Sequence, residues 1–233
     1  MKKEMWLIWR SPKTRRRFNV GTLLFDEKYE FFYTNHELKE AIENGFEYFP
    51  GFEDLTKTYE SYSLFVNIET RLPNKKRPDY EDILSLYGLN KNSTSMEILN
   101  KTKGRLLTDN YEFVPSFDPH YIEFELAGTS HCDDVLKYKD KLTVTRKLKL
   151  ELDPNNPFDS YSIKAIVSDE NRDYHLGYVP RYYSKQLTQI LQKQKKYEAI
   201  IQSLNFESSL SDENITVQVK IDFDEEKGEI DEN

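Results

Sequence analysis

Cysteine is almost absent from this chain. Cys132 stands alone among 233 residues, so no internal disulfide staples the fold, and a reducing compartment suits it. Histidines are few and scattered (His36, His120, His131, His175), and no Cys and His set carries zinc-ligand spacing. Long hydrophobic runs are missing too. Trp6-Leu7-Ile8-Trp9 is far too short for a signal core or a membrane span, and Arg10 ends it. These absences predict a cytoplasmic chain, bacterial in setting, with no membrane partner, no metal and no cofactor. There is no Gly-rich phosphate loop, no G-x-S-x-G elbow and no H-E-x-x-H. His131 and Cys132 cannot pair as base and nucleophile by adjacency, because strand neighbours point to opposite faces. Asp133 and Asp134 with Asp153 or Asp159 could hold a divalent ion, but no lysine-bearing nuclease motif accompanies them. The expectation is a protein that is not an enzyme.

An excess of positive charge is missing as well. The net charge is −8, which argues against a general nucleic-acid binder, since phosphate neutralisation supplies most non-specific affinity. The charge is uneven, however. From Asp222 to Asn233 seven acids stand against Lys227, so the rest of the chain carries only −2. Residues 223–233 read as a solvated, disordered acidic tail, or as a strand mimic that shields a DNA site.

Aromatics are abundant, with 16 Tyr and 14 Phe, whereas disordered chains are poor in them. The length allows one large domain or two small ones, and no repeat is visible. Phe18 to Phe25 alternates around Gly21 and Glu30 to Tyr33 is a second short strand. Thr34 with Glu37 forms a capping box for a helix that stops at Gly45. Asp79 caps a helix ending at Gly88, and Ser95 caps another before Gly104. Arg71, Lys75, Lys76, Arg77 and Pro78 form a basic loop, either a solvated turn or a phosphate contact.

Beyond the prolines of Val114 to His120 the pattern turns to strands. Leu142 to Leu152 alternates with period two, and Ser162 to Val167, Tyr174 to Val179, Tyr197 to Leu204 and Ile215 to Phe223 are further candidates. Only Tyr182 to Lys193 reads as a helix, with Leu187, Ile190 and Leu191 on one face. Several short strands and one helix predict a small barrel or a strongly curled sheet. Within it, Asp153-Pro154-Asn155-Asn156-Pro157-Phe158-Asp159 cannot continue a strand, so a long loop leaves the sheet there. Ala165-Ile166 and then Gly177-Tyr178-Val179-Pro180-Arg181 follow, and Ala127-Gly128-Thr129-Ser130-His131 precedes.

This ordered set resembles the HIRAN domain over about a hundred residues. The resemblance implies a small OB-like β-barrel that holds single-stranded DNA at its 3′ end. It assigns Phe158 to stack a base, Asp159 to accept from the free 3′-hydroxyl, and Asn156 to sit beside them. Tyr178 contributes from the Gly-Tyr-Val-Pro segment, and Ser130 and His131 from the opposite wall; Arg181 and Lys185 either meet phosphate or solvate a helix face. Three positions depart from the eukaryotic pattern. Phe158 replaces a tyrosine, His131 stands where a tyrosine lies, and Ser130 where an arginine lies. Each assigned residue also has a plainer structural role open to it, such as a turn, a core ring or a solvated helix face.

The first half, through Val20-Gly21-Thr22-Leu23, Phe31-Phe32-Tyr33, Phe65-Val66-Asn67 and Arg71-Leu72-Pro73, resembles more loosely the amino-terminal subdomain of HipA-type kinases. The kinase body is absent. The predicted architecture is α+β. It comprises a mixed α/β HipA-like module at 1–115, an OB-like HIRAN barrel with one or two short helices at 120–222, and the tail. The predicted function is binding of single-stranded DNA or DNA 3′ ends, in repair, at replication forks or in defence. The rival is an antitoxin-like or regulatory subunit that meets a protein partner through residues 1–115.

Overall fold

A computed structural model describes residues 3–170, 172–206 and 215–221. The chain divides into two compact units, Met1–Ser116 and Phe117–Asn233.

The first unit is built on β1 (Lys3–Arg10), β2 (Arg17–Phe25), β3 (Tyr29–Tyr33), α1 (Asn35–Glu43), β4 (Tyr59–Ser61), α2 (Val66–Glu69), α3 (Tyr80–Leu86), α4 (Ser95–Thr102) and β5 (Tyr111–Pro115). Its sheet is antiparallel throughout, in the order β4-β3-β2-β1-β5. Alternation along the strands buries Leu7, Trp9, Phe18, Val20, Leu23 and Phe31 beneath Phe46, Phe49 and Phe52. The tyrosine at the centre, Tyr33, is satisfied inside this aromatic core. Its hydroxyl donates to the Phe52 carbonyl at 2.6 Å and accepts from the Phe49 amide at 2.8 Å.

Helix ends follow local chemistry only in part. α1 stops at Gly45, whose φ of +97° suits glycine, and the Phe46 amide closes back on Ala41. The expected Thr34–Glu37 box does not form. β3 pairs with β2 only as far as Gly21, so the backbone of Asn19 needs partners beyond the ladder. The Thr34 hydroxyl donates to the Asn19 carbonyl, and Glu37 accepts the Asn19 amide at 2.6 Å. Before α4 the cap is Thr94 rather than Ser95, in a complete capping box with Glu97. Asp79 does not cap α3, because its carboxylate takes a bidentate pair from Arg77. Arg71 leaves the predicted basic loop for the interior. It donates to the Gly104 carbonyl, pairs with Asp109 and lies over the rings of Phe49 and Tyr111.

The second unit carries β6 (Tyr121–Glu125), a 3-10 turn (Thr129–His131), α5 (Asp133–Tyr138), a second 3-10 turn (Lys139–Lys141), β7 (Lys147–Leu152), β8 (Ile163–Asp169), β9 (Arg172–Tyr178), α6 (Arg181–Gln192), β10 (Tyr197–Leu204) and β11 (Ile215–Ile221). The strands form one antiparallel sheet in the order β6-β11-β10-β7-β8-β9. Leu148, Leu150, Val167, Ile201 and Val217 fill its interior, with Tyr183 and Leu187 of α6.

Three expectations need correction. Among the described residues the sheet is not a closed barrel: β6 and β9 are its edges, and a single bridge, Ala127 to Tyr178, ties the ends together. α6 is not the only helix of this unit, since α5 and the two 3-10 turns follow Gly128. The alternating run from Leu142 becomes a strand only at Lys147. Thr145 sits at φ +69°, a left-handed conformation that breaks the extended chain, and its amide bonds to Ile201 instead. The acidic tail and Phe223 lie outside the described residues.

Candidate nucleic-acid interface

The loop between β7 and β8 is tied at its neck by the Asp153 amide donating to the Ser162 carbonyl at 2.8 Å. Two short polar side chains then fold the loop on itself. Asn156 accepts the Phe158 amide and Asp159 accepts the Tyr161 amide, each at 2.9 Å, so two Asx turns follow one another from Asn156 to Tyr161. The ring of Phe158 stands at the tip and is 76% exposed. A ring exposed there is open to stacking by a ligand.

Asp159 also reaches α6. Its Oδ2 accepts from the buried Ser184 hydroxyl at 2.8 Å, and the Tyr161 carbonyl accepts from Thr188 at 3.0 Å. Each carboxylate oxygen has two acceptor positions, so these bonds orient Asp159 without exhausting it. Lys185 lies 5.7 Å from the centre of the Tyr161 ring, and Arg181 sits half-buried at the helix start.

Behind the loop the outer face of the sheet is read from register. Glu151 pairs with Lys164, and Lys164 with Tyr178. Lys164 holds Asp153 at 3.1 Å, which raises its ammonium pKa, and the Tyr178 hydroxyl lies 3.5 Å from the same carboxylate. The Asn156 side chain acts on that hydroxyl only weakly, lowering its pKa against larger upward pushes. Burial, and then the charge of Asp153, push Tyr178 above its ordinary range, so it stays a neutral donor.

The opposite wall depends on Gly177. At φ +146° it approaches the turn so closely that a Cβ would meet the Ala127 carbonyl at 2.9 Å and the Thr129 methyl at 3.2 Å. The Ala127–Tyr178 bridge therefore sets the exposed Ser130 and His131 beside the end of β9. Beneath them the His175 ring packs edge-on against Tyr178, with centroids 4.6 Å apart. Its Nε2 faces the Gly177 carbonyl at 3.1 Å and so carries the proton, leaving Nδ1 to accept from the Cys132 thiol at 3.7 Å. Burial lowers His175 and raises Cys132, and Asp134 and Asp133 raise Cys132 further. Both partners are neutral, unlike an activated thiolate–imidazolium pair.

Loop and sheet thus unite Asn156, Phe158, Asp159 and Tyr178, and α6 brings Lys185 to the loop's far side. Sequence reasoning missed Lys164, Ser184 and His175, and weighed Asp153 only as a metal ligand. Period-two spacing carried a signal for Lys164 alone. A groove of about 760 Å³ at the start of β7, between Thr145, Arg146, Lys149 and Tyr197, contains none of the predicted residues. The candidate interface is an outer surface of loop, sheet and helix, with Phe158 exposed at the loop. Among the described residues, no cluster of three His, Cys, Asp or Glu could hold a metal ion, and no helix is long and apolar enough to cross a membrane.

Comparison with curated proteins finds no match. Solved structures similar to the chain include the HIRAN domain of human HLTF, at 16% identity and a TM-score of 0.34, covering 44% of this chain and 74% of that one. A structural-genomics protein from Lactobacillus plantarum is 15% identical with a TM-score of 0.35, covering 44% of this chain and 97% of that one. The family model of the HIRAN domain matches residues 119–222, so it is the second unit of this chain, from the approach to β6 to the end of β11, that matches the HIRAN domain.

Proposed function

We propose that the second unit binds single-stranded DNA and holds its 3′ end at the loop between β7 and β8. The observation that carries this reading is the exposed ring of Phe158 next to an oriented carboxylate, Asp159. The ring stacks the terminal base, a sequence-tolerant contact. The carboxylate accepts from a free hydroxyl and repels a terminal phosphate. Tyr178, Asn156 and Ser130 supply neutral polar contacts, His131 an exposed ring, and Arg181 and Lys185 the positive charge that the missing wall arginine withholds. The match of residues 119–222 to the HIRAN domain supports the assignment.

The role is one of binding rather than catalysis: the one thiol–imidazole pair here is held neutral on both sides. Repair, fork processing and defence are the settings in which a free 3′ end is the signal. Fluorescence anisotropy with labelled oligonucleotides tests the mechanism. A 3′-hydroxyl end should bind more tightly than a 3′-phosphate end, and equal affinity removes end capture.

The first unit supports a second reading, a HipA-like module that meets a protein partner. Tyr62, Val66, Leu86 and Leu107 are each at least 74% exposed, more than their size favours in a solvated surface. Affinity capture from the native host, with Tyr62→Ser and Leu107→Ser as controls, checks it. A stoichiometric partner lost in the double variant supports it, and capture that ignores the substitutions rejects it.

A further inference from the structure

Tyr161 lies three residues beyond Phe158 in the same loop, and nothing in the site above gives its ring a task. The ring is 41% exposed. Its backbone is nevertheless fixed on both sides. The amide donates to Asp159 at 2.9 Å, and the carbonyl accepts from Thr188, which is buried on α6. Its main chain is thus fixed by two bonds while part of the side chain stays open to solvent. Lys185, one turn along α6 from Arg181, sets its ammonium 5.7 Å from the ring centre.

We propose that Tyr161 and Lys185 form a second nucleotide subsite, in which the ring stacks the penultimate base and the ammonium meets the adjoining phosphate. The proposal rests on the 3′-end reading and extends it by one nucleotide. Three residues span at most about 11 Å, so Phe158 and Tyr161 stand within reach of neighbouring bases on an extended strand. Stacking on an aromatic ring needs no sequence match, which suits a site that reads an end. A cation beside that ring serves twice: it polarises the aromatic face and neutralises phosphate.

The test is a cycle between protein and ligand in the full chain. A labelled 3′-hydroxyl oligothymidylate is compared with the same strand abasic at its penultimate position. The wild-type protein should lose about 5- to 150-fold in affinity for the abasic strand. Tyr161→Ala should lose a similar factor for the intact strand and then ignore the abasic change, while Tyr161→Phe binds as wild type. Lys185→Ala should lower the salt slope by about 0.7. Tyr161→Leu keeps apolar bulk and stands in if the alanine variant misfolds. If Phe158→Ala weakens binding while Tyr161→Ala and the penultimate abasic change do not, the second subsite is wrong and the first survives. If the wild type binds no strand at all, the parent reading has failed.

Discussion

The buried hydroxyl of Ser184 donates to Oδ2 of Asp159 at 2.8 Å, joining the first turn of α6 to the loop between β7 and β8. The Ser184 hydroxyl oxygen also lies 2.9 Å from the Arg181 carbonyl, but a hydroxyl has one hydrogen, and the charged acceptor forms the stronger bond. Ser184→Ala should therefore cost about 1 kcal/mol of unfolding free energy. It should also loosen Asp159 and narrow the preference for 3′-hydroxyl over 3′-phosphate ends. Urea denaturation and anisotropy read the two effects separately.

Phe158→Ala should dissociate stability from binding. The ring projects from the surface, so unfolding free energy should move by no more than about 0.5 kcal/mol. Binding of single-stranded DNA should weaken by about 1 to 3 kcal/mol. A large loss of stability would mean that the ring belongs to the fold.

Gly177→Ala should act through the backbone. A Cβ there meets the Ala127 carbonyl at 2.9 Å, and the residue already holds a φ of +146°. The loss should exceed about 1 kcal/mol. Hydrogen exchange should show the amides of Ala127 and Tyr178, which bond each other's carbonyls, opening first.

The capping box before α4 predicts an acid limb. Backbone and side-chain bonds from Thr94, with Lys3, hold Glu97 at about 2, below its ordinary 4.5. A depressed carboxylate binds fewer protons when folded, so its contribution is complete above 4.5 and fades as pH falls toward 2. The stability gap between wild type and Glu97→Gln should close across that window. Thr94→Ala should cost about 1 kcal/mol at neutral pH.

His175 adds a second limb. Burial lowers its pKa below 6.5, so the unfolded chain binds its proton more readily. Its contribution is present above 6.5 and is lost as pH falls through the folded value. Histidine signals in a nuclear magnetic resonance titration should show His175 protonating below 6.5.

What the sequence disclosed was chemistry that neighbours settle. Asn156-Pro157-Phe158-Asp159 had to leave the strand, and it does so through bonds two residues long. The Ala127-to-His131 and Gly177-to-Arg181 segments stood out only through the family resemblance. Ser184, Lys164 and the Cys132–His175 contact stayed hidden because tertiary structure makes them. The thiol and the ring lie 43 residues apart, and Lys164 gains Tyr178 only once β8 and β9 are in register. Local rules also failed where a distant group outbid them. Thr34 and Glu37 went to Asn19 rather than to their own helix, and Arg71 was drawn from a basic run into an aromatic interior.

Both tryptophans, Trp6 and Trp9, lie on β1, and none occurs after it. Trp9 is enclosed by Phe18 and Phe46, an environment that solvent would change at once on unfolding. Indole emission is thus an optical report on the first unit alone, while the second is lit only by tyrosine. Melting curves from the two chromophores, recorded on one sample, would show whether the halves come apart together or in turn.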